Sequence, residues 1–168
     1  GEQADPTTRA HNLPIYQTAT FSFESADEKE AAVDAALAWK PGAFFYTRTS
    51  NPTTAALEEK LAALEGGESA IASASGMAAV SASLLAHLKS GDHLIVADDL
   101  FIISQLLFAE DFPTRGIEVT PVAITDLDAV RAAMRPNTRV VYAEVLSNPW
   151  MRISRSEEHT SELQSLAY

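Results

Sequence analysis

Three positions in the sequence combine groups that could bind a phosphate-bearing ligand, and each follows a predicted strand. The first is Ser75-Gly76-Met77, where a strand turns directly into a helix and glycine leaves room for an anion. Free N–H groups and the helix dipole at such a junction favour phosphate. Phe101 and Asn148 follow two later strands and supply an aromatic face and an amide. Together these residues offer an anion site, an aromatic face and an amide.

Each stretch also has a purely structural interpretation. A Ser-Gly pair at a strand-to-helix junction commonly forms only a cap and a turn, and Asn148-Pro149 reads equally well as a turn. Asp98-Asp99 can start a helix, and Phe101 can belong to the core. The chain contains no G-x-G-x-x-G, G-x-x-x-x-G-K or G-x-S-x-G motif, so dinucleotide, P-loop and hydrolase-elbow interpretations have no direct support. The residues alone predict a phosphate-binding α/β domain and no more.

Alternating strands and helices place these residues at one edge of a sheet. The predicted strands are SAIASAS, HLIVAD, IEVTPVA and TRVVYAEV, with helices between them in the order βαβαβαβ. HLIVAD and TRVVYAEV have the apolar character of buried strands. This alternation implies a mostly parallel sheet with helices on both faces. In such sheets ligands bind beyond the carboxyl ends of the strands.

Capping residues mark the boundaries of the predicted helices. Ser25 and Glu28 form a capping-box pattern, and Pro52 follows a cap at either Ser50 or Asn51. Gly66-Gly67 and Gly91 mark the C-terminal ends of two helices, and Thr125 or Asp126 caps the start of another. Residues 1–50 cannot close a core of their own, so we expect an N-terminal arm that packs on something else, such as another subunit.

Composition excludes several classes of partner. Twelve Lys and Arg oppose 23 Asp and Glu, and the resulting charge of −11 argues against nucleic acid and against an anionic membrane surface. The chain has no cysteine, and its four histidines lack metal-ligand spacing. It has neither a signal-peptide pattern nor an apolar run long enough to span a membrane. We expect a cytoplasmic protein that binds a small molecule and no metal.

Longer stretches are more specific than any single residue. The chain contains LPIYQTATFSF, YTRTSNPTTAALEEKLAALEGGESAIASASGMAAVSASLL, LKSGDHLIVADDLF and VVYAEVLSNP. In this order and spacing they resemble the Cys/Met-metabolism family of pyridoxal-phosphate (PLP) enzymes, which includes cystathionine γ-synthase, methionine γ-lyase and O-acylhomoserine sulfhydrylase. The resemblance covers residues 12–154. It implies an incomplete fold-type I large domain over residues 51–154, preceded by an arm over residues 1–50.

The resemblance also implies roles for individual residues. Ser75, Gly76 and Met77 would hold the cofactor phosphate, in agreement with the junction argument. Tyr46 and Arg48 would reach the phosphate of a neighbouring subunit, in a homodimer or homotetramer with shared sites. For Arg48 the alternative is an ordinary surface ion pair.

At the other two strand ends, the resemblance implies that Phe101 stacks on the pyridine ring and that Asn148 bonds the ring hydroxyl. Glu144 would orient its neighbours rather than transfer protons. One stretch departs from the family pattern, because Phe101-Ile102-Ile103-Ser104 stands where many members have Tyr followed by Gly and a small residue. Stacking survives that change, but the phenol that can assist departure of a γ-substituent is lost. Replacement on an O-acylhomoserine-type substrate and γ-elimination both stay open.

Two further groups that the cofactor needs are missing from the pattern. The ring-nitrogen carboxylate would fall at Arg155, and the Schiff-base lysine would lie beyond the residues given. Residues 155–168 begin with RSEEHTSELQS, which resembles a translated sequencing adapter, so we predict a foreign or disordered tail and an inactive fragment; a natural polar tail is the alternative. Other function classes that remain are a fold-type I aminotransferase and a non-catalytic phosphate- or nucleotide-binding module.

Overall fold

A computed structural model of the chain describes residue 4 and residues 8–154, and the chain divides into two compact units, Gly1–Ser73 and Ala74–Tyr168. The first unit contains helices α1 (Ala26–Leu37) and α2 (Pro52–Glu65). The elements of the second unit are α3 (Gly76–His87), β1 (His93–Ala97), α4 (Ile102–Leu106), a π-helical turn (Leu107–Asp111), α5 (Phe112–Thr114), β2 (Glu118–Val122), α6 (Leu127–Ala133) and β3 (Thr138–Tyr142).

The predicted capping box opens α1. The Ser25 hydroxyl accepts from the Glu28 backbone N–H at 3.1 Å, and the Glu28 carboxylate accepts from the Glu24 N–H at 2.7 Å. The return bond therefore reaches the residue before the cap rather than the cap itself. Both bonds satisfy backbone donors near the start of the helix that would otherwise lack partners.

Helix α2 begins and ends where the sequence predicts. Asn51 is the cap, Pro52 occupies the first helical position, and Gly66 ends the helix with φ of 66°. That left-handed conformation suits glycine, which has no Cβ to clash. Three leucines of this helix are exposed, with 50%, 42% and 81% of their surface accessible: Leu57, Leu61 and Leu64.

Three parallel strands form the sheet of the second unit, in the order β2-β1-β3. The central strand β1 is buried at every residue. The predicted α/β class with a parallel sheet is confirmed. The description of TRVVYAEV as a fully buried strand is wrong, because β3 flanks the sheet among the described residues and its side chains are mostly half-buried.

The first predicted strand, SAIASAS, is also wrong. Residues 69–75 form no strand, and Ile71 is 84% exposed. Its side chains are too small to bury much apolar surface, and within the described part of the chain no strand lies beside it to complete a ladder. One of its backbone donors, the N–H of Ala72, instead bonds the Glu58 carboxylate at 2.8 Å.

The connection between β1 and β2 is helical, as predicted, but a π-helical turn interrupts it. Phe108 lies in that turn and meets the edges of two other rings, Phe112 at 5.4 Å and Tyr142 at 5.1 Å between centroids. This aromatic cluster joins the helical segment to β3. Among the residues that the structure describes, no helix is long and apolar enough to cross a membrane.

Candidate functional site

The start of α3 presents two backbone donors to solvent. Ser75 caps the helix, and its hydroxyl accepts from the Ala78 N–H at 3.1 Å. Within the described residues, the N–H groups of Gly76 and Met77 have no acceptor. A Cβ built on Gly76 meets nothing within 4 Å, so the space beside this residue is open. The cap-and-turn interpretation of Ser75 is therefore correct and leaves two donors available to an anion.

Phe101 occupies the position before α4 and is 37% exposed, so it does not belong to the core. No side chain caps α4; instead the Phe101 N–H donates to both carboxylate oxygens of Glu144, at 3.1 and 3.3 Å. Glu144 follows β3, and its own carbonyl accepts from the buried Ser154 hydroxyl at 2.8 Å. Glu144 thus fixes the backbone of Phe101 relative to the end of β3.

Asn148 lies exposed in a turn closed by Ser147, which is 2% accessible. The Ser147 N–H donates to the Arg152 carbonyl at 2.9 Å, and its hydroxyl accepts from the Arg152 N–H at 3.0 Å. The Ser147 carbonyl accepts from Met151 at 2.9 Å. Three backbone-linked bonds on one buried residue hold the turn that carries Asn148.

Two further interactions near these residues were not anticipated from the sequence. The carboxylate of Asp99, a residue only 8% exposed, lies 4.0 Å from the Arg152 guanidinium. The 2% exposed Ser104 donates to the Met77 sulfur at 3.7 Å. The sequence offers one signal that could have identified the first pair, an acid after one strand and a cation after another. The local pattern offers no signal for the second pair.

Tyr142 adds a half-buried phenol next to Ser104. Burial is the main cause that raises the pKa of Tyr142, and the nearby Glu144 charge acts in the same direction. The hydrogen bond with Ser104 opposes both by favouring the ionised form. The phenol therefore stays neutral around neutral pH and serves packing and hydrogen bonding.

Tyr46 and Arg48 belong to the first unit. Tyr46 forms an antiparallel bridge with Thr20, and the Arg48 guanidinium lies 5.0 Å from the centroid of the Tyr46 ring, a cation–π contact. Arg48 is exposed and forms no ion pair among the described residues. The surface-ion-pair interpretation of Arg48 therefore has no support in this part of the chain.

The Asn51 side chain organises the loop that carries these two residues. Its amide donates to the Tyr16 carbonyl at 3.0 Å and to the Thr47 hydroxyl at 3.1 Å, while its oxygen accepts from the Thr53 N–H at 2.9 Å. Asn51 is 6% exposed, so these bonds satisfy a buried amide. It is both a helix cap and the link between the arm and the loop.

Comparisons with known proteins identify the family. The model of the family described as Cys/Met metabolism PLP-dependent enzyme matches residues 1–161. The chain belongs to this family. An L-methionine γ-lyase of Fusobacterium nucleatum subsp. polymorphum is 45% identical over 141 residues, 84% of this chain and 35% of the relative. A cystathionine γ-synthase of Mycobacterium bovis is 40% identical over 154 residues, 92% of this chain and 37% of the relative.

Solved structures of Cys/Met-metabolism enzymes match the fold. A cystathionine γ-lyase from Lactobacillus plantarum complexed with L-serine gives a TM-score of 0.83 at 32% identity, over 98% of this chain and 40% of that one. A Campylobacter jejuni protein assigned as an O-acetylhomoserine (thiol)-lyase gives 0.85 at 31% identity, over 98% and 39%, and carries a pyridoxyl-lysine 5′-monophosphate. The chain spans little more than a third of the length of these relatives.

The described residues fit the phosphate of this family's cofactor. A phosphate needs several convergent donors, and the open start of α3 offers two that no described residue uses.

The four lysines, by contrast, are all exposed: Lys29, Lys40, Lys60 and Lys89. Lys89 follows the far end of α3, a helix of 12 residues and so about 18 Å long. Arg155, where the ring-nitrogen carboxylate was expected, and the predicted tail at 155–168 lie outside the described residues. In the described part of the chain, no cluster of three or more His, Asp or Glu could hold a metal ion.

Proposed function

We propose that this chain forms the phosphate- and ring-binding part of a PLP-dependent enzyme of sulfur amino-acid metabolism. The observation that carries the proposal is the pair of unused N–H donors at Gly76 and Met77 in a chain of this family. The whole protein would act by γ-replacement on an O-acylhomoserine-type substrate or by γ-elimination. Both reactions are represented among the names of the relatives, a methionine γ-lyase and a cystathionine γ-synthase.

Each candidate residue has a distinct task in this proposal. Ser75 holds the helix start, while Gly76 and Met77 donate to the phosphate. Phe101 offers its exposed ring to the pyridine face, and Asn148 donates to the ring hydroxyl. Bound PLP would supply the electron sink for chemistry at the amino-acid substrate. Glu144 acts on Phe101 through the backbone hydrogen bond and does not itself move a proton.

A second copy of the chain would complete the phosphate site. Tyr46 and Arg48 lie in the first unit, where Arg48 stacks on the Tyr46 ring and lacks a carboxylate partner among the described residues. A guanidinium held in this way can offer two parallel donors to a phosphate. We therefore propose a homodimer or homotetramer with shared sites, in which residues 1–50 act as an arm.

We propose that the 168-residue chain binds ligand without turnover. Each lysine is exposed, and Lys29 and Lys60 lie on α1 and α2, so none is enclosed in a site suited to covalent chemistry. After incubation with PLP and borohydride, mass spectrometry should find no stoichiometric label on a single lysine. One fully labelled lysine would contradict this part of the proposal.

The phosphate assignment is tested by removing one donor without removing the helix. Gly76 is the first residue of α3 and follows the extended Ser75, so Gly76→Pro removes an N–H at the position where proline is best tolerated. Affinity for 4-deoxypyridoxine 5′-phosphate, which lacks the reactive aldehyde, should fall about tenfold in a calorimetric titration, because a charge-assisted hydrogen bond is lost.

A matched control exists in the first unit. Ala26→Pro makes the same substitution at the first position of α1, after the extended Ser25, and should leave ligand affinity unchanged. If the unaltered chain binds neither the analogue nor inorganic phosphate, the proposed function is wrong. Equal affinity in the unaltered chain and Gly76→Pro would remove α3 from the site.

A further inference from the structure

Two cross-links of opposite direction join the same pair of segments at the carboxyl edge of the sheet. In one, the carboxylate of Glu144 accepts from the backbone of Phe101, after β1. In the other, the carboxylate of Asp99, also after β1, meets the guanidinium of Arg152, after β3. The segment after β1 supplies Asp99 and the segment after β3 supplies Glu144, and each acid bonds a residue of the other segment. Such reciprocal links restrain sliding and rotation of the two segments better than one link does.

The buried half of the second link needs its partner. Asp99 is 8% exposed, whereas the Arg152 side chain is 63% exposed and could otherwise extend into water. A buried carboxylate without a cation or donors is costly, so Asp99 favours conformations in which Arg152 folds back over it. Within the described residues, Arg152 is the cation that pairs with Asp99.

Arg152 transmits this restraint to the turn that carries Asn148. Its backbone N–H and carbonyl both bond to the buried Ser147, the residue directly before Asn148. A side chain held at Asp99 and a backbone held at Ser147 leave the turn little freedom. The position of Asn148 relative to Phe101 then depends on the ion pair.

We propose that Asp99 and Arg152 are positioning residues whose ion pair, together with the Glu144–Phe101 hydrogen bond, holds Phe101 and Asn148 as a fixed pair of contacts for one planar ring. The inference rests on the proposed function for the identity of the ligand. Asp99 and Arg152 would therefore affect recognition of the ring and not binding of the phosphate, since neither residue belongs to the start of α3.

Two ligands separate these tasks. Inorganic phosphate probes the start of α3 alone, whereas 4-deoxypyridoxine 5′-phosphate also probes the ring contacts. Asp99→Asn and Arg152→Met should each weaken the analogue about fivefold and leave phosphate affinity unchanged. Arg152→Lys should restore most of the affinity, and the double variant should lose no more than either single one, because one interaction is removed in all three.

Arg115→Met is the matched control, since it breaks a 2.8 Å ion pair with Asp111 in the same unit and should change neither affinity. Equal weakening of both ligands in Asp99→Asn, or no weakening of either, would overturn the inference. Amide exchange in the free chain gives a second measurement. The Met151 and Arg152 amides, which close the turn, should exchange about fivefold faster in Asp99→Asn.

Failure of the two proposals can be told apart. An unaltered chain that binds neither ligand contradicts the proposed function, and the exchange of the two amides then decides the restraint by itself. Unchanged exchange in Asp99→Asn would show that the ion pair does not hold the turn.

Discussion

The carboxylate of Glu144 accepts a hydrogen bond from the backbone N–H of Phe101, which lies 43 positions earlier in the chain. No side-chain hydrogen bond caps α4, and Phe101 directly precedes its first residue. A charged acceptor at a helix start gains from the helix dipole as well as from the hydrogen bond. One side chain therefore lies at the start of α4 and connects the segments that follow β1 and β3.

Replacement of Glu144 separates these contributions. Glu144→Ala should lower the free energy of unfolding by about 1–2 kcal/mol because the Phe101 donor loses its acceptor. Glu144→Gln keeps a neutral acceptor and should cost about half as much. Urea denaturation measures both. Glu110→Gln, at an exposed acid of the π-helical turn, is the control and should stay within about 0.5 kcal/mol of the unaltered chain.

The burial of His93 predicts that the sheet loses stability in acid. It is fully buried at the start of β1, and its ring nitrogens lie 2.7 Å and 2.8 Å from the hydroxyls of Thr138 and Thr120. The pKa of His93 lies below its ordinary 6.5, chiefly because of burial; Arg135 lowers it further and Glu118 opposes this. The unfolded chain therefore binds more protons, and stability should be complete above pH 6.5 and fall as the pH drops below it.

The pH slope of stability is the measurement for His93. Between pH 6.5 and about 5, above the range where most carboxylates titrate, His93→Val should flatten the slope even though it lowers stability at every pH. His87→Gln is the control, because His87 is exposed on α3 and bonds only the Ser83 carbonyl among the described residues. A slope that persists in His93→Val would assign the acid sensitivity to another group.

The aromatic cluster predicts a steep loss of stability on truncation. Phe108 and Phe112 are 2% and 0% exposed, and Phe108 also meets Tyr142 edge-on. Phe108→Ala should cost about 3–5 kcal/mol, enough to unfold a marginal domain, because it removes buried area and both ring contacts. Phe108→Leu should cost clearly less and fold. Thermal denaturation followed by near-ultraviolet circular dichroism compares them, and equal losses would show that cavity volume does not set the cost.

Gly116 is subject to two constraints, a positive φ and a close neighbouring side chain, whereas Gly91 is subject only to the first. Both have positive φ, 75° and 89°, but a Cβ at Gly116 would collide with the Ser90 hydroxyl, whereas one at Gly91 meets nothing within 4 Å. Gly91→Ala should cost about 1 kcal/mol for backbone strain, and Gly116→Ala about 1 kcal/mol more. Ser90→Ala should recover part of the second cost, since the colliding oxygen is removed. Urea denaturation of the three variants and the double variant tests this, and identical costs at the two glycines would contradict it.

Helix boundaries were predictable because their signals are local. The caps at Ser25, Asn51, Ser75 and Asp126 each bond a residue two or three positions ahead, so the relevant chemistry lies inside one short stretch. The strand predicted over SAIASAS failed because a strand exists only with a partner, which no local pattern supplies. The half-buried state of β3 had the same cause, since burial depends on what lies beside the strand.

The sequence by itself determined the family, the α/β class and two strand ends that carry candidate ligand residues, those after β1 and β3, because these depend on local spacing and on the order of motifs along the chain. Only the tertiary structure decided that Glu144 bonds the backbone of Phe101, that Arg152 pairs with Asp99 and that Ser104 meets Met77. Those pairs are distant in the chain and become neighbours when parallel strands are brought side by side. The contacts that hold the candidate site in shape therefore became visible in the folded chain.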